Sequence, residues 1–61
     1  MIKLTRLNGD SVYLNPFLIE RIEMKPDTMI TMNSQTQYLV KEGAEVVMEL
    51  IKRGKILLID Q

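Results

Sequence analysis

Apolar positions in the first forty residues come in short runs, and turn-forming residues separate them. Thr, Ile, Val and Tyr are enriched there, and that pattern predicts β-strands. The spacing predicts strands over about 2–7, 11–14, 19–25, 28–33 and 36–40. From about Glu42 to Arg53 the period changes to that of a helix. Val46, Val47, Leu50 and Ile51 fall on one stripe, with Gly43 and Gly54 on its centre line. Glu45, Glu49, Lys52 and Arg53 fall opposite. Gly54 reads as the residue that ends the helix. Beyond it, residues 55–60 read as an apolar tail or a sixth strand. The expected fold is one α+β domain over residues 1–61. It has a five- to six-stranded antiparallel curled sheet, a meander, and one C-terminal amphipathic helix.

The turns carry the clearest local signals. Asn8-Gly9 between alternating segments predicts a tight hairpin, because a type I′ turn needs positive φ at both central residues. That register sets Leu4 opposite Tyr13 and Thr5 opposite Val12. Apolar residues then occupy both faces: Ile2, Leu4 and Tyr13 on one, Leu7, Val12 and Leu14 on the other. Either the sheet curls or a bulge shifts its register, or a second face is buried. Asn15-Pro16 breaks the second strand, and Asn15 is placed to cap a short turn. Pro26-Asp27 is a turn centre, with φ fixed by proline. Asn33-Ser34-Gln35 is a weaker turn. Asn8, Gly9, Asn15, Pro26 and Asp27 are therefore assigned structural roles.

Composition narrows the chemistry. With no cysteine and no histidine in 61 residues, disulfides, Cys/His zinc sites and histidine-based catalysis are excluded. Ser11 and Ser34 have no base to activate them. Glu20 and Glu23 alternate to opposite strand faces, and Glu42 and Glu45 suit a solvated helix start. No catalytic residue, cofactor site or metal site is expected. Eight basic residues balance eight acidic ones. Lys3, Arg6, Arg21 and Lys25 are interleaved with acids, so no nucleic-acid partner is expected, and a small nucleic-acid-binding regulatory module is only the second reading. The longest apolar run, Ile56 to Ile59, is far too short to span a membrane. No membrane insertion is expected, and the expected location is the cytoplasm. Met24, Met29 and Met32 suit either an adaptable contact surface or core filling.

So short a chain buries little. Roughly 3,500 Å² of apolar burial at ~25 cal/mol/Å² is matched by an ordering cost of ~1.5 kcal/mol per residue. Oligomerisation is the remaining source of stability. The expected interface is Ile2, Leu4 and Tyr13 on the hairpin together with Ile56, Leu57, Leu58 and Ile59 in the tail.

Several stretches resemble a known family. They are Met1-Ile2-Lys3-Leu4-Thr5-Arg6-Leu7-Asn8-Gly9, Leu14-Asn15, and Ile19-Glu20-Arg21-Ile22-Glu23 with Pro26-Asp27-Thr28-Met29-Ile30-Thr31. Val40-Lys41-Glu42, leading into the helix, completes the set. Together they resemble the small flagellar FlbD-type proteins, also called swarming motility protein SwrD, over about residues 1–53. The family usually carries glycine in the turn held here by Asn33-Ser34-Gln35, and often serine where this chain has Gly43. The resemblance implies a non-enzymatic cytoplasmic accessory protein of flagellar motility or swarming that supports the motor. It offers no catalytic residues. The partner it suggests is a flagellar motor or export component, beside the second copy of the chain that the small core already calls for.

Overall fold

The computed structural model describes the backbone of residues 1–59 and the side chains of residues 1–54. Five strands are followed by one helix: β1 Ile2–Thr5, β2 Ser11–Leu14, β3 Ile19–Met24, β4 Thr28–Met32, β5 Gln37–Val40 and α1 Ala44–Ile59. The strands form two antiparallel sheets, β1-β2 and β3-β4-β5, rather than one continuous meander. A single 3₁₀ turn, Pro16–Leu18, separates them. Pro16 lacks an N–H and fixes φ, so strand pairing cannot continue through it. The Asn15 side chain caps this turn, accepting from the Phe17 N–H at 2.9 Å.

The two sheets meet at one end. Arg6 bridges Val40. The Leu7 N–H donates to the Leu39 carbonyl at 3.2 Å, and the Lys41 N–H to the Thr5 carbonyl at 2.8 Å. The Thr5 N–H in turn donates to both Glu42 carboxylate oxygens, at 2.9 and 3.1 Å. Residues 41 and 42 thus hold the Thr5 peptide group from both its donor and acceptor sides.

The first hairpin corrects the expected register. Leu4 stands opposite Val12, and Lys3 opposite Tyr13. The Arg6 N–H donates to the Asp10 carbonyl at 2.7 Å, and the Gly9 N–H to the Arg6 carbonyl at 2.9 Å. The loop is therefore three residues, Leu7-Asn8-Gly9, with only Gly9 at positive φ (97°). A three-residue loop with its last residue left-handed competes with the two-residue type I′ loop for the same sequence signal. Shifting register by one residue exchanges the faces. Ile2, Leu4 and Leu14 now share the buried face with half-buried Val12, while Lys3 and Tyr13 face out. The second buried face disappears with the shift.

β4 is the central strand of the larger sheet, and Thr28, Ile30, Thr31 and Met32 are all buried. β3 pairs with it through an irregularity at Glu20, between Ile19 and Arg21. A β-bulge leaves one residue unpaired and re-aims its neighbours. Arg21 and Glu23 share a face by ordinary alternation and lie 3.1 Å apart, and at the bulge Glu20 reaches Arg21 as well, at 2.7 Å. The Lys25–Pro26 peptide is cis, and the Lys25 N–H donates to the Asp27 carbonyl at 3.1 Å across that turn.

The core joins Ile2, Leu4, Leu14, Ile30, Met32, Val40 and Val47. It sits between the sheets and α1. Gly43 precedes the helix, and its carbonyl accepts from the Val47 N–H at 3.1 Å. Val47 is fully buried, Leu50 and Ile51 pack beside it, and Val46 is half exposed, so the buried stripe is narrower than its periodicity suggested. The helix does not stop at Gly54. It continues to Ile59, so residues 55–59 form neither a strand nor an extended tail. An interior glycine costs about 1 kcal/mol of helix propensity, which packing can outweigh. Here a Cβ at Gly54 would stand 3.3 Å from Ile2 Cγ2 and 3.4 Å from Pro16 Cγ. The missing side chain lets α1 approach the hairpin closely.

Candidate functional site

Ile30 is buried and Ile22 and Tyr38 pack partly buried beside the core, and strand alternation puts Glu23, Met29 and Leu39 on the other face of the sheet. On the outer face Glu23 stands opposite Met29, and Met29 opposite Leu39. Leu7, bonded to Leu39 through the backbone, lies beside them. Leu7 and Leu39 are 42% and 44% exposed, and both line a shallow groove with Met29, Arg6, Asn8 and Gln37. Three apolar side chains from three parts of the sequence thus make one patch with a polar rim. Patches of this composition suit contact with another protein.

A second apolar cleft lies between the hairpin and the larger sheet. Met1, Tyr13, Leu18, Met32 and Tyr38 contribute to it. A third lies beside β3, where Ile19, Ile22, Met48 and Ile51 meet Pro16.

The residues expected from the sequence to form an interface are dispersed. Tyr13 is 60% exposed and borders the second cleft. Ile2 and Leu4, at 5% and 1% exposed, belong to the chain's own core and cannot also meet a neighbour. Ile56, Leu57, Leu58 and Ile59 lie in the last turns of α1, and their side chains fall outside the described residues. Of the methionines, Met32 fills the core, Met24 is exposed and Met29 belongs to the outer patch. Sequence reasoning missed the outer patch. Met29 standing opposite Leu39 is the signal, and it is visible only once the β4-β5 register is known.

Charged chemistry is sparse. Among the described residues no cluster of three or more His, Cys, Asp or Glu could hold a metal ion. No helix among them is long and apolar enough to cross a membrane. Among the described residues, Glu42 is the carboxyl whose pKa is displaced. Desolvation pushes its pKa up, but the Thr5 and Glu42 N–H groups, the Thr5 hydroxyl and nearby Lys41 outweigh that, leaving it below the ordinary 4.5. Ionised, it accepts at full strength from the Thr5 N–H. That is a structural clasp rather than an acid–base pair. The Asn8 carboxamide accepts from the Asp10 N–H at 2.9 Å, which likewise serves its loop.

The fold and these surfaces define a small α+β domain that offers apolar contact area. The chain belongs to the FlbD family, the flagellar and swarming motility proteins, whose pattern it matches over residues 1–56. The match takes in both sheets, the clasp and the helix through Ile56. No curated protein and no solved structure matches the chain.

Proposed function

We propose that this protein serves flagellar and swarming motility without catalysing a reaction, by binding another protein. The binding partner is a component of the flagellar motor or export apparatus on its cytoplasmic side, and the effect is to support motor function. The observation that carries this reading is the exposed Leu7–Met29–Leu39 patch with its polar rim. Family membership supplies the biological setting. Two observations support a non-enzymatic role: neither serine has a histidine to activate it, and the Glu42 carboxylate is spent on the Thr5 backbone N–H.

The test is deletion of the gene, followed by swimming and swarming assays with variant genes restored. Leu39→Asp puts a charge in the middle of the patch without touching the core, and it is expected to abolish swarming while the protein stays folded. Ser11→Ala and Ser34→Ala are expected to restore motility fully. A folded Leu39→Asp protein that still supports swarming removes the patch from the mechanism. Loss of swarming with a folded Ser11→Ala protein points instead to chemistry at that hydroxyl.

A further inference from the structure

β3 is a sheet edge. β4 covers one side of it, and no strand among the described residues covers the other. Its six residues, Ile-Glu-Arg-Ile-Glu-Met, form the longest strand. An open edge presents unpaired N–H and C=O groups, and proteins usually blunt such edges with charge. Here the charges have both signs, and their order selects a partner.

We propose that the chain forms a two-fold dimer by antiparallel pairing of β3 with β3 of a second copy, in the register centred on Ile22. Neighbouring residues of a strand turn their backbone groups to opposite sides, so paired residues must share a side. A strand paired with its own copy is therefore limited to registers that centre one residue on itself. Centring on Arg21 sets arginine against arginine. Centring on Glu23 or Glu20 sets glutamate against glutamate. Centring on Met24 brings Ile22 opposite Pro26, which has no N–H to give. Centring on Ile22 sets Arg21 opposite the second copy's Glu23, and the two-fold axis repeats the pair. Opposite charges directly across a strand pair stabilise it, and like charges destabilise it.

The charge complementarity is already visible within one chain, where Arg21 Nε and Glu23 Oε1 lie 3.1 Å apart. This ion pair is exposed and can exchange partners at little cost. The opposite face adds apolar contact. Met48 and Met24 are 58% and 54% exposed, and Ile19, Ile22, Met48 and Ile51 line the cleft along that edge. With the axis perpendicular to the sheet, both copies turn this face to the same side. The two clefts then merge over the Ile22 pair, and the two three-stranded sheets become one of six strands. A net charge of zero leaves no overall repulsion between copies.

The proposal concerns assembly and stands or falls independently of the motility reading. A pair of short edges is a small interface, so association is measured by light scattering and sedimentation at about 100 µM of the full chain. A dimer is expected. Glu23→Arg opposes like charges twice and is expected to weaken the dimer about tenfold or more. The exchange Arg21→Glu with Glu23→Arg restores the pairing, and circular dichroism confirms that each variant folds. The chain has no cysteine, so Ile22→Cys is expected to give a disulfide-linked dimer on oxidation while Glu20→Cys is not. A monomeric full chain overturns the proposal. So does a dimer indifferent to Glu23→Arg in a folded protein, or one in which Glu20→Cys links and Ile22→Cys does not.

Discussion

Two loops in this molecule have one geometry and different sequences. In Leu7-Asn8-Gly9 and in Asn33-Ser34-Gln35, the residue before the loop donates its N–H to the carbonyl of the residue after it. The distances are 2.7 Å for Arg6 to Asp10 and 2.8 Å for Met32 to Thr36. In both, the third loop residue donates back to the first flank, at 2.9 and 2.8 Å, and takes positive φ, 97° and 75°. One loop meets that demand with glycine, which has no Cβ to clash. The other meets it with glutamine, at a cost of about 1–2 kcal/mol for an L-residue in the left-handed region. The hairpin imposes the backbone shape, and the residue accepts it. The second loop therefore holds strain that the first does not.

The largest expected effect comes from removing the glycine. Gly9→Val meets no neighbouring atom, so its cost is purely conformational, roughly 1–3 kcal/mol. For a domain this size that lowers Tm by several degrees. An unchanged melting curve would show that Gly9 does not need its positive φ.

A smaller effect is expected where the fold depends on a side chain rather than on a loop. Glu42→Gln keeps the shape of the Thr5 clasp but removes its charge, and should cost about 1 kcal/mol at neutral pH. The wild-type clasp should also fail in acid. A carboxyl whose folded pKa lies below its unfolded value of 4.5 stabilises the fold above pH 4.5, and the contribution fades as pH falls through the lower folded value. Denaturant midpoints of wild type and Glu42→Gln should converge across that window. Midpoints that stay parallel down to pH 3 would remove the charge from the clasp. Gly9→Val and wild type should show no such convergence.

The smallest effect, and the only gain, is Gln35→Gly. Relief of about 1–2 kcal/mol is partly offset by the added freedom of the unfolded chain, about 0.5–1 kcal/mol, leaving a net gain of about 0.5–1 kcal/mol. A loss of stability on chemical denaturation would mean that the Gln35 side chain does something its backbone angle does not reveal.

The same pair of loops shows what the sequence makes legible. Asn8-Gly9, Pro26-Asp27 and Asn33-Ser34-Gln35 each mark a reversal correctly, because turn residues act locally. Register is not local in that sense. Asn-Gly serves two-residue and three-residue loops alike, and the choice between them turned Tyr13 to the face opposite Ile2 and Leu4, which lie in the core. Gly54 followed by Ile56, Leu57, Leu58 and Ile59 reads as a stop and a new element. Its actual reason, a close approach to Ile2 and Pro16, depends on residues some forty to fifty positions away. The outer patch was hidden for a similar reason. Leu7, Met29 and Leu39 look like ordinary strand residues until pairing turns them to one side.

The Thr5 clasp also bears on the order of folding. Each hairpin closes over a few residues and can form early at little entropic cost. Thr5 and Glu42 are 37 positions apart, so their contact closes a long loop after the local pairs exist. Contacts made after the rate-limiting step hold the native state against opening but do little to speed its formation. Stopped-flow measurements on Glu42→Gln should therefore show faster unfolding with a nearly unchanged folding rate. In that case the Val40-Lys41-Glu42 stretch governs how long each folded molecule lasts.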